Sequence, residues 1–599
     1  MLQRHLIGTA LAAALALLPA CGDSKKGGGT AAKTGVVRFT ELPPAAPTTA
    51  KSGPLHFVSL TREAGISFKV ETGSKEKLFL VESIGQGVML FDYDNDGDLD
   101  LYFAQGGELR AEPTGRTYHN ALYRNDGGWR FTDVTDGSGL ESPEWSLGVY
   151  AADYDGDGFE DVYVTKLGKN RLYRNLGNGR FKDVTDEVGG GCEQFSSSAA
   201  FFDADQDGDL DLFVCNYVVF DIKNPPNRGL PCRWKELQVS CGPRGLPEAT
   251  NVFYENADGK FVDATAKFGF AAPRNGKPIA TYSLGVVTTD FDRDGDQDVY
   301  VAVDSRPSLM YENLGGGKFR EVAQRWQVAL NAEGVEQAGM GVATGDVNGD
   351  GWMDIFRTNF SHDTDTLYVN AAAPKAMYFN DETYKSGLGG DATFAPLSWS
   401  TTMQDFDCDG RVDIFVVSGH VYPQAEGVAN LGTSYAQLNQ IFMQTAPMKF
   451  ANKAAEAGPA MQIRKVSRGA AFGDIDRDGR IDVVVSNLDD WPDLIRNESD
   501  IVGGWLGVRL QGAEPKNRAA IGAHATLEFA DGSATVREIV GGGGYLGSND
   551  RTLHFGFAAD KKPIRLKVRW PNGAVETCAV PASGRYFGLS QGRPELVSL

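Results

Sequence analysis

Apolar residues in this chain come in short runs, each stopped by a Gly, Asn or Asp turn. One stretch shows the whole pattern. Leu147-Gly148-Val149-Tyr150-Ala151-Ala152 leads into an acidic loop, then Val162-Tyr163-Val164, Arg171-Leu172-Tyr173-Arg174-Asn175 and Arg180-Phe181-Lys182-Asp183-Val184-Thr185. Runs this short, rich in β-branched and aromatic residues, predict four β-strands. The third run recurs as Leu122-Tyr123-Arg124-Asn125, Phe253-Tyr254-Glu255-Asn256, Met310-Tyr311-Glu312-Asn313 and Leu367-Tyr368-Val369-Asn370. The fourth recurs as Phe131-Thr132-Asp133-Val134-Thr135 and Phe261-Val262-Asp263-Ala264-Thr265.

The acidic loop occurs seven times, starting at Asp92, Asp153, Asp203, Asp290, Asp346, Asp405 and Asp474. Seven four-stranded repeats predict an all-β chain built on a seven-bladed β-propeller. A linear solenoid is disfavoured by the chain ends. A lone fourth-strand segment, Phe57-Val58-Ser59-Leu60-Thr61, precedes the first loop, and Leu494-Ile495-Arg496-Asn497 ends the last repeat without its fourth strand. Pairing the two closes the ring and removes the open sheet edges. From Gly503 the acidic loops stop and runs such as Trp505-Leu506-Gly507-Val508-Arg509-Leu510 and Ile564-Arg565-Leu566-Lys567-Val568-Arg569-Trp570 alternate with Gly-rich turns, which predicts a small β-sandwich. The expected boundaries are 56–498 for the propeller and 499–599 for the second domain.

Each loop reads Asp-x-[Asp/Asn]-x-Asp-Gly-x-x-Asp. Carboxylates at positions 1, 3, 5 and 9 can converge on one point, and Gly at position 6 allows the bend. The expected ligands are Asp92, Asp94, Asp96 and Asp100; Asp153, Asp155, Asp157 and Asp161; Asp203, Asp205, Asp207 and Asp211; and Asp290, Asp292, Asp294 and Asp298. The last three loops supply Asp346, Asn348, Asp350 and Asp354; Asp405, Asp407, Asp409 and Asp413; and Asp474, Asp476, Asp478 and Asp482. An all-oxygen set at this spacing suits calcium, up to seven ions, and without His or Cys it disfavours zinc and copper. An EF-hand needs Glu at position 12, where this chain has Phe103, Val164, Val214, Val301, Arg357, Val416 and Val485.

These repeats resemble the FG-GAP/VCBS repeats of the integrin α-subunit propeller. The resemblance implies metal loops on one rim and partner binding on the other, and strand alternation gives the same geometry independently. The C-terminal stretches Asn517-Arg518, Ile521-Gly522-Ala523, Arg537-Glu538, Gly544-Tyr545, His554-Phe555-Gly556 and Trp570-Pro571-Asn572-Gly573 resemble an ASPIC/UnbV domain. A propeller followed by that domain is the arrangement of the cartilage acidic protein family and its bacterial relatives, and Gly419-His420-Val421-Tyr422-Pro423 matches that family too.

The formal charge is −21. The loops carry 7 × 4 − 1 = 27 carboxylates at ligand positions, and seven calcium ions would bring the charge from −21 to −7. The acidity is therefore mostly metal-site charge, and without a basic run it argues against nucleic acid. Arg4 and His5 precede an apolar stretch, 6–18, too short to span a bilayer, so 1–20 reads as a signal peptide. Leu18-Pro19-Ala20-Cys21 resembles a bacterial lipobox. The resemblance implies lipidation at Cys21, membrane attachment only through that lipid and, with Gly22 following, an outer-membrane or cell-surface location. Residues 21–55 read as a disordered tether. In an oxidising compartment Cys232 and Cys241 are the best disulfide pair; pairings for Cys192, Cys215, Cys408 and Cys578 stay open.

No GxSxG, HExxH, P-loop or dinucleotide fingerprint is present. His420 reads as a turn histidine bonded to backbone, and Arg537-Glu538 as a surface or sheet ion pair. The 216–250 insertion lies between the second and third strands of its blade, on the rim away from the acidic loops. It brings Arg233, Trp234, Lys235 and Arg244 beside the expected disulfide, which suits either an interface anchor or a cover over an apolar patch. The expectation is a non-enzymatic, calcium-stabilised scaffold that binds a protein or glycan at the cell envelope. A polysaccharide hydrolase or lyase working in the propeller funnel, and a lectin-like propeller, are the alternatives.

Overall fold

The computed structural model describes residues 35–599 except 48–50, 52, 111–113, 272–278, 374–375 and 514–516. The signal peptide, Cys21 and the tether up to residue 34 lie outside the described residues.

The acidic repeats fold into seven antiparallel sheets arranged as a propeller. In the second, Ser146–Ala152, Asp161–Lys166, Arg171–Asn175 and Phe181–Asp183 lie side by side in sequence order. The first strands of successive blades pack on one another all the way round, from Val88–Phe91 to Ser467–Gly473 and back, so they line the centre of the ring. Closure follows the reading from the chain ends. Phe57–Ser59 pairs with Asp493–Asn497 in the seventh sheet, Phe57 opposite Asn497.

The C-terminal domain holds two four-stranded sheets. One contains Gly504–Gln511, Leu553–Phe557, Tyr586–Ser590 and Arg593–Ser598; the other contains His524–Phe529, Ala534–Glu538, Pro563–Arg569 and Val575–Ala579. Their buried faces carry Leu506, Val508, Phe555, Ala525, Leu527 and Leu566, in one core cluster with Phe201, Phe213 and Val286 of the propeller. This domain sits directly on the rim that carries the acidic loops. Arg509 reaches Asp92 at 3.1 Å, Arg569 pairs with Asp290, and His554 Nε2 lies 2.9 Å from the Gly479 carbonyl.

Between its two sheets the domain sends residues 541–550 into the centre of the propeller. Gly541–Gly544 adds a fifth strand to the fourth blade, pairing Gly544 with Val286 and Gly541 with Thr288. Beyond it the Leu546 carbonyl accepts from the Val149 amide at 3.3 Å, the Ser548 carbonyl from Leu90 at 3.1 Å, and the Tyr545 hydroxyl donates to the Ile84 carbonyl at 2.9 Å. Asn549 Oδ1 accepts from the Phe472 amide at 3.1 Å. With the Leu546 amide donating to Ser198 Oγ at 3.3 Å, the finger bonds to five blades. Its glycines are sterically required. A Cβ on Gly544, whose φ is +80°, would stand 2.1 Å from the Val342 carbonyl oxygen, and one on Gly541 would stand 2.2 Å from that of Phe201. The sequence pattern reads this stretch as a turn; the narrowness of the ring centre makes it a backbone plug instead.

Gly544→Val combines a positive φ with a direct clash, each penalised by about 1–3 kcal/mol. Hydrogen exchange of the 541–550 amides is expected to accelerate at least about tenfold in that variant, with blade amides little changed. Unchanged exchange would contradict the seating of the finger.

Candidate metal centres

Every acidic loop joins the first strand of its blade to the second, and the ninth-position aspartate is the first residue of that second strand, as in Asp100–Phe103 and Asp161–Lys166. Gly97 has φ +97° and Gly158 +94°, the left-handed bend that position 6 needs. The first aspartate grips that glycine. Its Oδ2 accepts the position-6 amide at 3.1 Å in Asp92, 2.9 Å in Asp153, 3.0 Å in Asp203 and 2.8 Å in Asp405. The ninth aspartate is held by two amides: Asp100 Oδ2 accepts from Tyr93 at 3.2 Å and Oδ1 from Asn125 at 2.8 Å.

That wiring leaves particular oxygens over. Asp94, Asp153, Asp203, Asp290, Asp407 and Asp476 each bury an Oδ1 with no hydrogen-bond partner. Six of the seven loops therefore hold an orphaned anionic oxygen beside other carboxylates. In the triads Asp153, Asp155, Asp161 and Asp405, Asp407, Asp413, one oxygen from each residue lies within 4.8 Å of the others. Such a set fits a hard divalent cation. The fifth loop differs. Asp346 Oδ1 accepts from the Gly349 and Asp350 amides at 2.8 and 3.1 Å, and Asn348 donates Nδ2 to Asp350 at 2.9 Å. Asn348 satisfies its own loop, which makes this the weakest candidate.

Burial pushes the Asp100 and Asp211 carboxyls up to about 8. Burial and then neighbouring carboxylates raise Asp203 and Asp405 to about 7. A bound dication reverses this by supplying the missing positive charge.

The third-strand asparagine, visible as a repeat but without an assigned role, joins the blades. Asn175 donates Nδ2 to the Tyr93 carbonyl of the preceding loop at 2.8 Å, and Asn256 to that of Tyr154 at 3.0 Å. Asn313 and Asn370 do the same to Ala204 and Phe291, each at 2.9 Å. The residues of the second domain that touch the loops escaped sequence reasoning altogether. Beyond Arg509 and Arg569, the Tyr586 hydroxyl bonds Asp474 and Trp505 packs on Gly479.

On the opposite rim Cys232 and Cys241 are joined in a disulfide, and Cys192, Cys215, Cys408 and Cys578 are buried thiols. Arg233, Lys235 and Arg244 are exposed, but Trp234 is not presented outward. Its ring lies 4.9 Å from His420, 5.5 Å from Tyr422 and 6.3 Å from Phe360, centroid to centroid. The hairpin thus covers an aromatic cluster, because the disulfide folds the tryptophan down onto apolar rings that would otherwise meet water. His420 is fully buried, and its Nδ1 accepts from the Tyr422 amide at 3.1 Å. Arg537 and Glu538 do not pair: successive strand residues face opposite ways, and Glu538 turns to Thr289 and the Asp290 amide.

Family comparison supports this arrangement. An FG-GAP-like repeat matches residues 92–164, 153–214 and 290–356, and the ASPIC and UnbV description matches 513–595. The chain carries FG-GAP-like repeats and an ASPIC/UnbV domain. It is homologous to cartilage acidic protein 1, with 24% identity over 291 residues of the Xenopus tropicalis protein, covering 47% of this chain and 41% of that one. The Homo sapiens protein gives 24% over 289 residues, 46% and 39%. The chain thus spans about two fifths of the length of the curated relatives it matches. Among solved structures, an Agrocybe aegerita lectin that recognises non-reducing terminal N-acetylglucosamine superposes with a TM-score of 0.36 at 15% identity, covering 63% of this chain and 84% of that one. A score that low says nothing of shared binding.

Chelation is expected to lower the melting temperature by more than about 10 °C, since six or seven sites at tenfold excess over their dissociation constants each add about 1.4 kcal/mol. The drop is expected to depend on pH. In metal-free protein the raised carboxyls contribute stability that is fully present below their ordinary 3.8 and lost as pH rises through about 8. The melting gap between calcium and EDTA is therefore expected to be wider at pH 8 than at pH 5.5. Calorimetry at both values checks this; equal curves with and without EDTA would refute it.

Proposed function

We propose that this chain is an exported, lipid-anchored scaffold, stabilised by calcium in its propeller loops, that binds a protein or glycan partner through the rim opposite those loops. The observation that carries the reading is what remains exposed. The second domain sits over the inner part of the loop rim, leaving only loop tips such as Asn95 and Asn348 exposed, and its finger occupies the ring centre, so the channel is not open to a large partner. A hydrolase or lyase holding a polysaccharide in the channel would first have to expel the finger.

The far rim has the surface a partner needs. Leu78, Val219 and Leu230 are 61%, 56% and 64% exposed, and Leu78 and Leu230 line one shallow groove with Phe79 and Phe220. Contiguous exposed apolar surface marks interaction sites. Arg233, Lys235 and Arg244 are exposed on the same insertion, which reaches the groove through Leu230 and Cys241. The tether arrives on the same side, where Gly35–Val36 pairs with Arg116–Thr117 in a second-to-third strand connection. From Cys21 to Gly35 is 35 − 21 = 14 residues, a reach of up to about 50 Å. Among the described residues no helix is long and apolar enough to cross a membrane. The proposed attachment rests on the lipobox-like Leu18-Pro19-Ala20-Cys21.

A photo-crosslinking residue at Leu230 or Leu78 in intact cells is expected to give discrete, saturable adducts, and one at exposed Ile564 in the second domain is not. Adducts from Ile564 alone, or none from the far rim, would overturn the reading.

A further inference from the structure

Arg537 is a half-buried cation that forms no ion pair among the described residues. It lies on Ala534–Glu538, the strand that runs into the finger. Its Nε donates to the His554 carbonyl at 3.1 Å and its Nη1 to that of Val536 at 2.9 Å. Its Nη2 is buried and has no partner, and no ion pair to it occurs among the described residues. The carboxylates that act on it through space are those of Asp405 and Asp346. Both are first-position residues of acidic loops, where their oxygens already accept loop amides, and neither comes within ion-pair distance of Arg537. Burying an unpaired charge is expensive enough that proteins supply a partner.

A cavity of about 100 Å³ lies against this side chain, between the finger and the loop rim. A second of about 90 Å³ adjoins it, and Arg537, Gln404 and Asn549 line both. On this measure a water needs about 10–15 Å³, so the space takes a small ion with its waters. The wall supplies donors. Asn549 Oδ1 is committed to the Phe472 amide, which leaves its Nδ2. His554, 4% exposed, directs Nε2 to the Gly479 carbonyl, so its unpartnered Nδ1 is an acceptor suited to a water. The acidic groups on the same wall are engaged: Glu538 by Thr289 and the Asp290 amide, Asp550 by Thr552.

We propose that this cavity binds a small inorganic anion of the chloride class, held by Arg537 Nη2 with help from the Asn549 and Gln404 amides, as the counter-ion that seats the second domain on the propeller. The site is independent of the partner rim, so it stands or falls separately from the scaffold reading. A water alone could satisfy the Nη2 hydrogen bond but not the charge.

The test uses the mature chain with calcium held constant. Replacing gluconate by chloride at fixed ionic strength is expected to raise the melting temperature along a saturating curve, by about 1–3 °C. Arg537→Gln is expected to lose the saturable part while keeping any general salt response. Crystals grown in bromide are expected to show an anomalous peak within hydrogen-bond reach of Arg537. Equal chloride responses in both proteins would overturn the proposal. So would a bromide-grown crystal with only water at Arg537, and that measurement decides if Arg537→Gln does not fold.

Discussion

The propeller depends on one repeated connection, the aspartate at the ninth loop position held by the backbone amide of an asparagine one strand away, or of Gln444 in the sixth blade. Asp161 Oδ1 accepts from the Asn175 amide at 2.7 Å, and Asn175 then reaches back to the Tyr93 carbonyl of the preceding blade. Loop, strand and neighbouring blade are fixed by these two bonds at one residue. The same arrangement forces acidic groups together where water is scarce, so it creates the demand for a cation that its own carboxylates are placed to meet.

Docking of the second domain extends that logic. A rim lined with carboxylates is a poor surface for apolar packing, and Arg509, Arg569 and Tyr586 answer it at Asp92, Asp290 and Asp474. The loops these residues touch belong to the neighbouring blades 1 and 7 and to blade 4 across the ring, so the domain is held on both sides of the opening. The finger then adds backbone bonds, of which the Gly541–Gly544 pairing to the fourth blade needs glycine to approach closely enough. Charge holds the lid on, and shape centres it.

Much of this was legible in the chain. The Asp and Gly spacing of the loops is legible because it recurs in one register seven times, and four short runs per repeat disclose the blade. The lone Phe57–Ser59 strand points to the closure because an unpaired edge demands a mate. What stayed hidden involves partners distant in sequence. Gly541–Gly544 has no side chains to carry a pattern, so its role is set entirely by the carbonyls of Val342 and Phe201 around it. Trp234 fitted an interface anchor or a cover over an apolar patch equally well, because composition cannot tell which way a tryptophan turns. Arg537 and Glu538 looked like a pair because adjacency in sequence was mistaken for adjacency in space.

Ring closure also sets a schedule for the chain. Phe57 finds its strand partner only at Asn497, and the finger that fills the centre comes later still, at 541–550. A nascent chain released at any point before residue 497 has an open blade at each end and exposed strand edges. Long-range pairing of this kind folds slowly and leaves intermediates prone to aggregation. The last hundred residues therefore act as a completion signal: until they arrive the ring has neither a lid nor a hub, and once they do, the earliest and latest parts of the chain are locked together.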